Sequence, residues 1–179
     1  MRLLESIHDL DVQTFSWCLR RKNRELAVLL SRGVSYTANG PFYVLAGLSF
    51  MLAEHWSLVK LLAIGFVLER TLYFIFKNAF KRNRPPEAIP GYISVIKPSD
   101  KFSFPSGHTS AAFLVAVAVS WAFPFMAWIL FPWAISVGIA RVMLGVHFPT
   151  DTLAGAALGS SLCLLLISAL PGAHLFGLH

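Results

Sequence analysis

The sequence predicts an all-α protein, a polytopic membrane helix bundle of five to six transmembrane helices with an N-terminal amphipathic helix. Hydrophobic residues make up 56% of the 179 residues and charged residues only 13%, whereas soluble domains carry about 25% charged residues. The apolar residues also cluster in runs that approach the roughly 20 residues needed to cross a bilayer. At this length we expect a single membrane-embedded domain over residues 1–179.

The first segment, residues 1–25, is amphipathic and lacks the apolar stretch of a signal peptide. A basic cluster, RRKNR, lies near its end, at residues 20–24. This pattern is typical of a helix that lies in the membrane interface. Its apolar positions recur at helical spacing: Leu3, Ile7, Leu10, Thr14 and Trp17.

The second segment, residues 26–55, contains a polar break, SRGVSYTANG. The apolar stretch from Pro41 to Ala53 is short for a span. We predict one span here, which either extends backwards through Val34 or consists of two halves of a broken helix.

The next span is predicted from Trp56 to Phe76 and contains Glu69 and Arg70. A charge at membrane depth costs roughly 2.5–3.5 kcal/mol on insertion scales. We therefore expect both side chains to face the interior of the bundle, as a structural pair.

A polar loop over residues 77–104 follows, with four prolines and six lysines or arginines, a composition that excludes a regular helix through most of it. Three further apolar segments are predicted at about 109–123, 125–145 and 150–170. Because the spans alternate across the bilayer, the loop and the turns at 104–108 and 145–151 are expected on one side of the membrane.

Two features of the last three segments bear on how they pack. Pro124 should separate the first from the second. Gly155 and Gly159 lie four residues apart, and small residues at this spacing allow close approach of helices.

The formal net charge is +6, which suits an anionic membrane surface or an anionic ligand. No soluble basic domain is present to bind nucleic acid. The cysteines, Cys18 and Cys163, lack metal-ligand spacing, so neither a disulfide nor a metal site is predicted.

The sequence PSGH, Pro105 to His108, opens an apolar helix. Pro105 suits the first turn of a helix, which would leave the N–H groups of Ser106, Gly107 and His108 free to bind an anion. Gly107 would let the anion approach the backbone, and His108 can supply a proton. Alone, a capping serine with a nearby histidine is more often structural.

A second cluster, RVMLGVHFPTD, places Arg141, His147 and Asp151 close together. Pro149 is expected to begin the last helix, with Asp151 in its first turn and its carboxylate within reach of a His147 ring nitrogen. Such a bond fixes the tautomer and leaves the other nitrogen free to attack.

A third cluster, KNAFKRNRP, places Lys77 and Arg84 seven residues apart, and both cations could hold a phosphate. A nucleophile, a proton donor and several cations together are what phosphoryl transfer needs. Because no acidic cluster for Mg²⁺ is present, a metal-free route through a phosphohistidine is predicted, with no cofactor.

These three motifs resemble the K-x6-RP, PSGH and SR-x5-H-x3-D signatures of the type 2 phosphatidic acid phosphatase superfamily, and they cover Lys77 to Asp151. The resemblance implies a membrane lipid phosphatase with His147 as nucleophile, Asp151 orienting it and His108 as the general acid. It further implies a phosphate-binding set: Lys77, Arg84, Ser106, Gly107 and Arg141. One position departs from the pattern, since Ala140 stands where the motif has serine.

The resemblance also implies a multi-pass protein of the cell (inner) membrane with its site on the non-cytoplasmic face, although the basic loop then runs against the positive-inside tendency. The expected partners are the bilayer and a lipid phosphate, with no nucleic acid and no obligate protein partner evident. Undecaprenyl diphosphate, phosphatidic acid and phosphatidylglycerol phosphate are the candidate substrates. The alternatives are a lipid phosphotransferase and a non-catalytic anion-binding or lipid-binding membrane protein. A vanadium-dependent haloperoxidase is disfavoured because such enzymes are soluble.

Overall fold

The computed structural model describes residues 2–20, 24–98 and 100–169. Within these ranges all regular structure is helical, so the predicted all-α class is confirmed. The helices in chain order are α1 (Arg2–Leu19), α2 (Arg24–Thr37), α3 (Gly40–Leu52), α4 (Trp56–Phe80), α5 (Pro85–Ala88), α6 (Gly107–Ala122), α7 (Ala127–Met143) and α8 (Pro149–Ala169), with a 3-10 turn at Pro124–Met126.

Helix α6 forms the centre of the bundle and packs against α4, α7 and α8. Its contact with α8 is close because α8 presents glycine to the α6 backbone. A Cβ added at Gly159 would lie 2.1 Å from the carbonyl oxygen of Ser110, and one at Gly155 would lie 2.5 Å from that of Ser106. The predicted packing through these two glycines is therefore confirmed.

The outer surface of the bundle is apolar. In α2, for example, Leu26, Leu29 and Leu30 are exposed, whereas Ser31 and Ser35 are buried. Among the described residues, two helices are both long and apolar enough to span a bilayer, Pro124–Met143 and Pro149–Ala169. Gly40–Leu52 and Gly107–Ala122 are apolar but shorter, so the number of five to six spans stays a prediction.

The predicted span within residues 26–55 is a broken helix. Helix α2 ends at Thr37 and α3 begins at Gly40, with Pro41 in the first turn of α3. A proline inside a continuous helix would remove a backbone hydrogen bond and clash with the preceding turn. The break therefore occurs where the sequence places Asn-Gly-Pro.

Helix α4 continues four residues beyond its predicted end at Phe76, so Lys77 lies in its last turn rather than in a loop. The residues up to Phe80 contain no helix breaker, and the helix ends at Lys81, which adopts a left-handed conformation (φ 46°). Further up the helix, Glu69 is fully buried as predicted, whereas the Arg70 side chain is 44% exposed. The two are joined by a bidentate ion pair with distances of 2.9 and 3.1 Å.

Helix α1 turns different faces inward and outward. Asp11 and Phe15 are buried against the rest of the protein, whereas Leu10 and Trp17 of the predicted apolar stripe are exposed. Residues 21–23 of the basic cluster and the side chains of Leu3 and Ile7 lie outside the described part of the chain. Placement of α1 in the membrane interface stays a prediction.

Candidate active site

The candidate site lies where four helix ends meet: the C-termini of α4 and α7 and the N-termini of α6 and α8. This arrangement brings the three sequence motifs together at one end of the bundle. The contacts described below connect them in space. The placement agrees with the expectation that the loop and the two turns share one side.

His147 and Asp151 are both deeply buried, with 2% and 0% of their surfaces exposed. Pro149 begins α8 and Asp151 lies in its first turn, as the sequence predicted. His147 Nδ1 lies 3.6 Å from Asp151 Oδ2, slightly beyond hydrogen-bond distance, and it has no hydrogen-bond partner among the described residues. The backbone N–H of Phe148 donates to the same carboxylate oxygen at 2.8 Å. A small approach of the ring would thus complete the predicted pair.

Burial determines the protonation of His147. Loss of solvation lowers the pKa of this imidazole from its ordinary value to about 4, although the nearby Asp151 carboxylate acts in the opposite direction. The ring is therefore neutral near pH 7, and a neutral imidazole has the free lone pair that a nucleophile requires.

Lys77 and Arg84 converge on a carboxylate that the sequence analysis missed. Lys77 Nζ lies 2.5 Å and Arg84 Nη2 lies 2.6 Å from the same oxygen, Asp100 Oδ1. The hydroxyl of Tyr73 donates to the other oxygen. Burial disfavours the charged carboxylate, but these three donors together hold the pKa of Asp100 well below its usual range. The two cations can thus share one anionic oxygen.

Arg84 connects these cations to His147. Its Nη1 atom donates to the carbonyl oxygen of Val146 at 2.6 Å and lies 3.4 Å from His147 Nε2. The guanidinium therefore stands beside the nitrogen of His147 that points away from Asp151.

The start of α6 differs from the predicted geometry. Helix α6 begins at Gly107 with Ser106 as its N-cap, so Pro105 precedes the cap instead of occupying the first turn. The N–H of Ser106 is not free, because it donates to the backbone carbonyl of Asp151 at 2.9 Å. Gly107 and His108 occupy the first two helical positions, where an N–H has no partner within its own helix.

Helix packing requires a glycine at position 107, in addition to the predicted approach of an anion to the backbone. A Cβ at this position would lie 2.7 Å from Tyr73 Cε2 and 3.1 Å from Arg70 Nη2. The glycine therefore allows α4 to pack closely against the start of α6, which keeps the two motifs adjacent.

His108 faces a different environment from His147. Its Nε2 atom lies 3.0 Å from Oδ1 of Asn39, in the break between α2 and α3. Both residues border a cavity of about 640 Å³ between α3, α4 and α6, which is lined mainly by apolar side chains such as Val44, Leu62 and Phe66. The sequence signal for Asn39 was the Asn-Gly-Pro break, which the analysis did not connect with the site.

Arg141 is buried at the end of α7 and donates from Nη1 to Ser35 Oγ at 2.8 Å. Its Nε atom is buried and has no hydrogen-bond partner among the described residues. A buried guanidinium N–H without a partner is costly, and an anion in the site would supply one. Ala140, which replaces the motif serine, is buried beside it.

Sequence reasoning also missed Arg82 and Asp11. Arg82 lies in the spacer between Lys77 and Arg84, and its Nη1 atom donates to Asp151 Oδ1 at 2.8 Å. Its Nη2 atom donates to Asp11 of α1 at 2.6 Å. No periodicity or motif spacing in the sequence relates Asp11 to the site.

In the part of the chain that the structure describes, no three His, Cys, Asp or Glu residues are grouped as metal ligands.

Comparisons with known proteins show which sequences and structures this chain resembles. Over 101 residues, which are 55% of this chain and 48% of the relative, the sequence is 38% identical to an undecaprenyl-diphosphatase of Sulfolobus acidocaldarius. The chain spans about half the length of the first curated relatives that it matches.

Two solved structures share the fold at 27% sequence identity. A transmembrane PAP2 type phosphatidylglycerolphosphate phosphatase from Bacillus subtilis superposes with a TM-score of 0.75, over 91% of this chain and 85% of its own. LpxE of Aquifex aeolicus superposes with a TM-score of 0.77, over 89% of this chain and 95% of its own. Residues 54–174, which include all three motifs, match the PAP2 superfamily, and the chain therefore belongs to that superfamily.

Proposed function

We propose that this protein is an integral membrane phosphatase that hydrolyses lipid phosphate or diphosphate headgroups without a metal ion. The observation that carries the proposal is the setting of His147. Its Nδ1 faces the Asp151 carboxylate at 3.6 Å and its Nε2 lies 3.4 Å from an Arg84 nitrogen. A neutral imidazole held between a carboxylate and a phosphate-binding cation is arranged to attack phosphorus through Nε2.

In the first step, the lone pair of His147 Nε2 forms a bond to phosphorus while the bond from phosphorus to the leaving oxygen breaks. Burial lowers the pKa of His108 to about 3, so the negative charge of the bound phosphate has to favour its imidazolium form, which gives a proton to that oxygen as the lipid product departs. The positive charge that develops on His147 is stabilised by Asp151. Lys77, Arg84, Arg141 and the N–H groups at the start of α6 stabilise the oxygens of the transferring group.

In the second step, a water molecule attacks the phosphorus of the phosphohistidine. His108, now neutral, takes a proton from the water, the P–N bond breaks, and inorganic phosphate leaves with His147 restored to its neutral form. The same imidazole thus acts first as acid and then as base. No redox partner or further reactant is needed.

The phosphate-binding role of Lys77 and Arg84 is supported by their shared contact with Asp100 Oδ1. Because both side chains already converge on one anionic oxygen, a phosphate oxygen can take that place or bind beside it. Ser106 would contribute its hydroxyl, since its N–H is bonded to Asp151. Arg141 Nε would gain the acceptor that it lacks.

The lipid character of the substrate is supported by the cavity beside His108. A phosphate bound between His147 and the cations would direct its leaving group towards His108, and the apolar walls of the cavity there suit a hydrocarbon chain. The names of similar proteins, an undecaprenyl-diphosphatase and a phosphatidylglycerolphosphate phosphatase, point to polyprenyl diphosphates and glycerophospholipid phosphates as the classes to test.

We also propose the membrane arrangement that the resemblance to the superfamily implies. The chain forms one domain over residues 1–179 with five to six spans, α1 in the interface and residues 77–108 supplying the loop side of the site. It lies in the cell (inner) membrane with the site on the non-cytoplasmic face. The apolar outer surface of the bundle supports its embedding in a membrane. A cysteine that replaces the exposed Lys81 and is labelled by an impermeant thiol reagent in intact cells would test the face.

The activity is tested with purified protein in detergent and a panel of lipid phosphates and diphosphates, with and without a chelator. Release of inorganic phosphate that persists with chelator and is lost in His147→Ala supports the proposal. Activity that requires added Mg²⁺, or that survives in His147→Ala, contradicts it. Transfer of phosphate to a second lipid with no free phosphate would indicate a phosphotransferase instead.

A further inference from the structure

A buried chain of charged side chains runs from the N-terminal helix to the carboxylate beside His147. Arg82 is its central member. Nη2 of Arg82 donates to Asp11 Oδ2 at 2.6 Å, and Nη1 donates to Asp151 Oδ1 at 2.8 Å. Thr150 joins the chain, since its N–H donates to Asp11 Oδ1 at 3.1 Å and its hydroxyl donates to the other oxygen of Asp11. The guanidinium therefore holds two carboxylates that are far apart in the sequence.

Because these groups are buried, each charge needs an oppositely charged partner. Asp11 is 2% and Asp151 0% exposed, and the Arg82 side chain is 20% exposed. A buried carboxylate without a cationic partner is strongly destabilising. Asp151 therefore needs Arg82 for its charge, and Arg82 needs Asp11 to hold its planar fork in one orientation.

Aromatic and cation–π packing also joins α1 to the segment that carries His147. Phe15 of α1 meets Phe148 edge to face with ring centroids 5.7 Å apart. The guanidinium of Arg82 lies over the ring of Phe148, 4.7 Å from its centroid. Phe148 directly follows His147, so α1 supports both the histidine segment and the carboxylate that faces it.

The two oxygens of Asp151 have separate tasks in this arrangement. Oδ1 accepts from Arg82, whereas Oδ2 accepts from the N–H of Phe148 and faces His147 Nδ1. Fixing Oδ1 from one side sets the rotation of the carboxylate, and this rotation determines whether Oδ2 points at the imidazole. A free carboxylate could turn either oxygen away.

We propose that Asp11 and Arg82 are positioning residues that hold Asp151 against His147, so that the N-terminal helix completes the active site. This inference rests on the proposed function. Neither side chain contacts the phosphate, and both act through the orientation of Asp151. Arg84, two residues after Arg82, is instead placed beside His147 Nε2 and the phosphate-binding cations.

The main test is Asp11→Asn, which keeps the shape of the side chain and removes its charge. We expect kcat to fall roughly 10- to 100-fold, the loss typical of removing a group that orients a catalytic residue, with KM changed less than about twofold because the phosphate contacts remain. Asp9→Asn is the matched control, since Asp9 lies exposed on the same helix, and it should leave both constants unchanged.

Variants of Arg82 provide a second test, which still applies if Asp11→Asn does not fold. Arg82→Gln should lower kcat at least as much as Asp11→Asn, and Arg82→Lys should recover part of the loss because it keeps the charge without the planar fork. Lys81→Gln, an exposed neighbour, is the control. The double variant Asp11→Asn/Arg82→Gln should be no slower than Arg82→Gln alone, since both changes break one chain.

A binding measurement separates positioning from general loss of structure. Orthovanadate mimics the transition state and requires a bond to His147, whereas inorganic phosphate requires only the cations. Titration monitored by ⁵¹V NMR should show that vanadate binds Asp11→Asn roughly 10-fold or more weakly than wild type, with the inhibition constant of phosphate unchanged. This readout needs no turnover.

The outcomes distinguish this inference from the proposed function. An active wild-type protein with unchanged kcat and vanadate affinity in both Asp11→Asn and Arg82→Gln overturns the inference alone. A lower unfolding temperature with unchanged kcat also overturns it, because the chain of charges would then serve stability only. A wild-type protein that neither releases phosphate from any lipid nor binds vanadate overturns the proposed function itself.

Discussion

The two histidines of the site occupy opposite environments. His147 is 2% exposed and lies between a carboxylate and a guanidinium, with Asp151 backed by Arg82 and Asp11. His108 stands at the edge of an apolar cavity, and the partner that the structure gives its Nε2 atom is the neutral amide of Asn39.

This difference in environment suits the two histidines to different roles in the proposed mechanism. A carboxylate facing one nitrogen of His147 stabilises the positive charge that develops when the other nitrogen attacks. His108 has a weak neutral acceptor opposite a nitrogen that faces the cavity, so a leaving oxygen can replace Asn39 and receive a proton. The environment of each ring therefore suits the roles that we propose, attack for His147 and proton transfer for His108.

The largest effect is expected for His147→Ala. Loss of the proposed nucleophile should lower kcat/KM by at least about 10⁴-fold, since the covalent intermediate would no longer form on His147. Quenching in alkaline detergent after reaction with ³²P-labelled substrate should trap label on the wild-type protein and none on the variant, because the P–N bond of a phosphohistidine is stable in alkali and labile in acid. Label that persists in His147→Ala would assign the nucleophile to another residue and end the distinction between the rings.

His108→Ala should reduce lipid hydrolysis by roughly 10²- to 10⁴-fold, the range for a general acid. The loss should be much smaller with p-nitrophenyl phosphate, because its leaving group departs without protonation. Comparing the two substrates in His108→Ala and in Asp151→Asn sharpens the contrast, since the Asp151 variant should be impaired similarly with both. Equal losses with both substrates in His108→Ala would contradict its role as acid.

Asn39→Ala removes the acceptor of His108 and should reduce lipid hydrolysis roughly 3- to 10-fold, the value of one neutral hydrogen bond. Its effect should disappear in a His108→Ala background, because Asn39 acts through that ring. Thr37→Ala, on the other side of the same helix break and exposed, serves as the control. Additive losses in the double variant would mean that Asn39 acts separately from His108.

The smallest effect concerns pH. Burial lowers the pKa of His147 to about 4, so the neutral, nucleophilic form persists as the pH falls and is lost only near that value. The rate of phosphoenzyme formation from p-nitrophenyl phosphate should therefore change less than about twofold between pH 7 and pH 5. For a histidine with the ordinary pKa of about 6.5, the neutral fraction would fall roughly 25-fold over this interval, and a matching loss of rate would contradict the buried setting of the ring.

The C-terminal half of the fold was predicted closely from the sequence. The segments expected at about 109–123, 125–145 and 150–170 correspond to α6, α7 and α8. Their apolar length is a strong signal, and Pro124 and Pro149 mark helix starts for a local steric reason. The position of Asp151 in the first turn of α8 followed from the same rule.

The N-terminal half was less predictable. The break that produces α2 and α3 was one of two alternatives, and the end of α4 lay at Phe80 instead of Phe76. Polar residues in a helix that contributes to a buried site weaken the apolar pattern on which the bounds depend. The bonded N–H of Ser106 was missed because its partner is a backbone carbonyl of another helix.

The sequence by itself determined which motif residues could carry phosphoryl transfer, because the spacings within Lys77–Arg84, Ser106–His108 and Arg141–Asp151 are short and local geometry constrains them. Only the tertiary structure decided which residues contact each candidate catalytic group. Asp11 meets Arg82 across 71 positions, and Asn39 meets His108 across 69. Contacts over such distances arise from how helices pack, which no local spacing encodes, and they set the environment of each histidine.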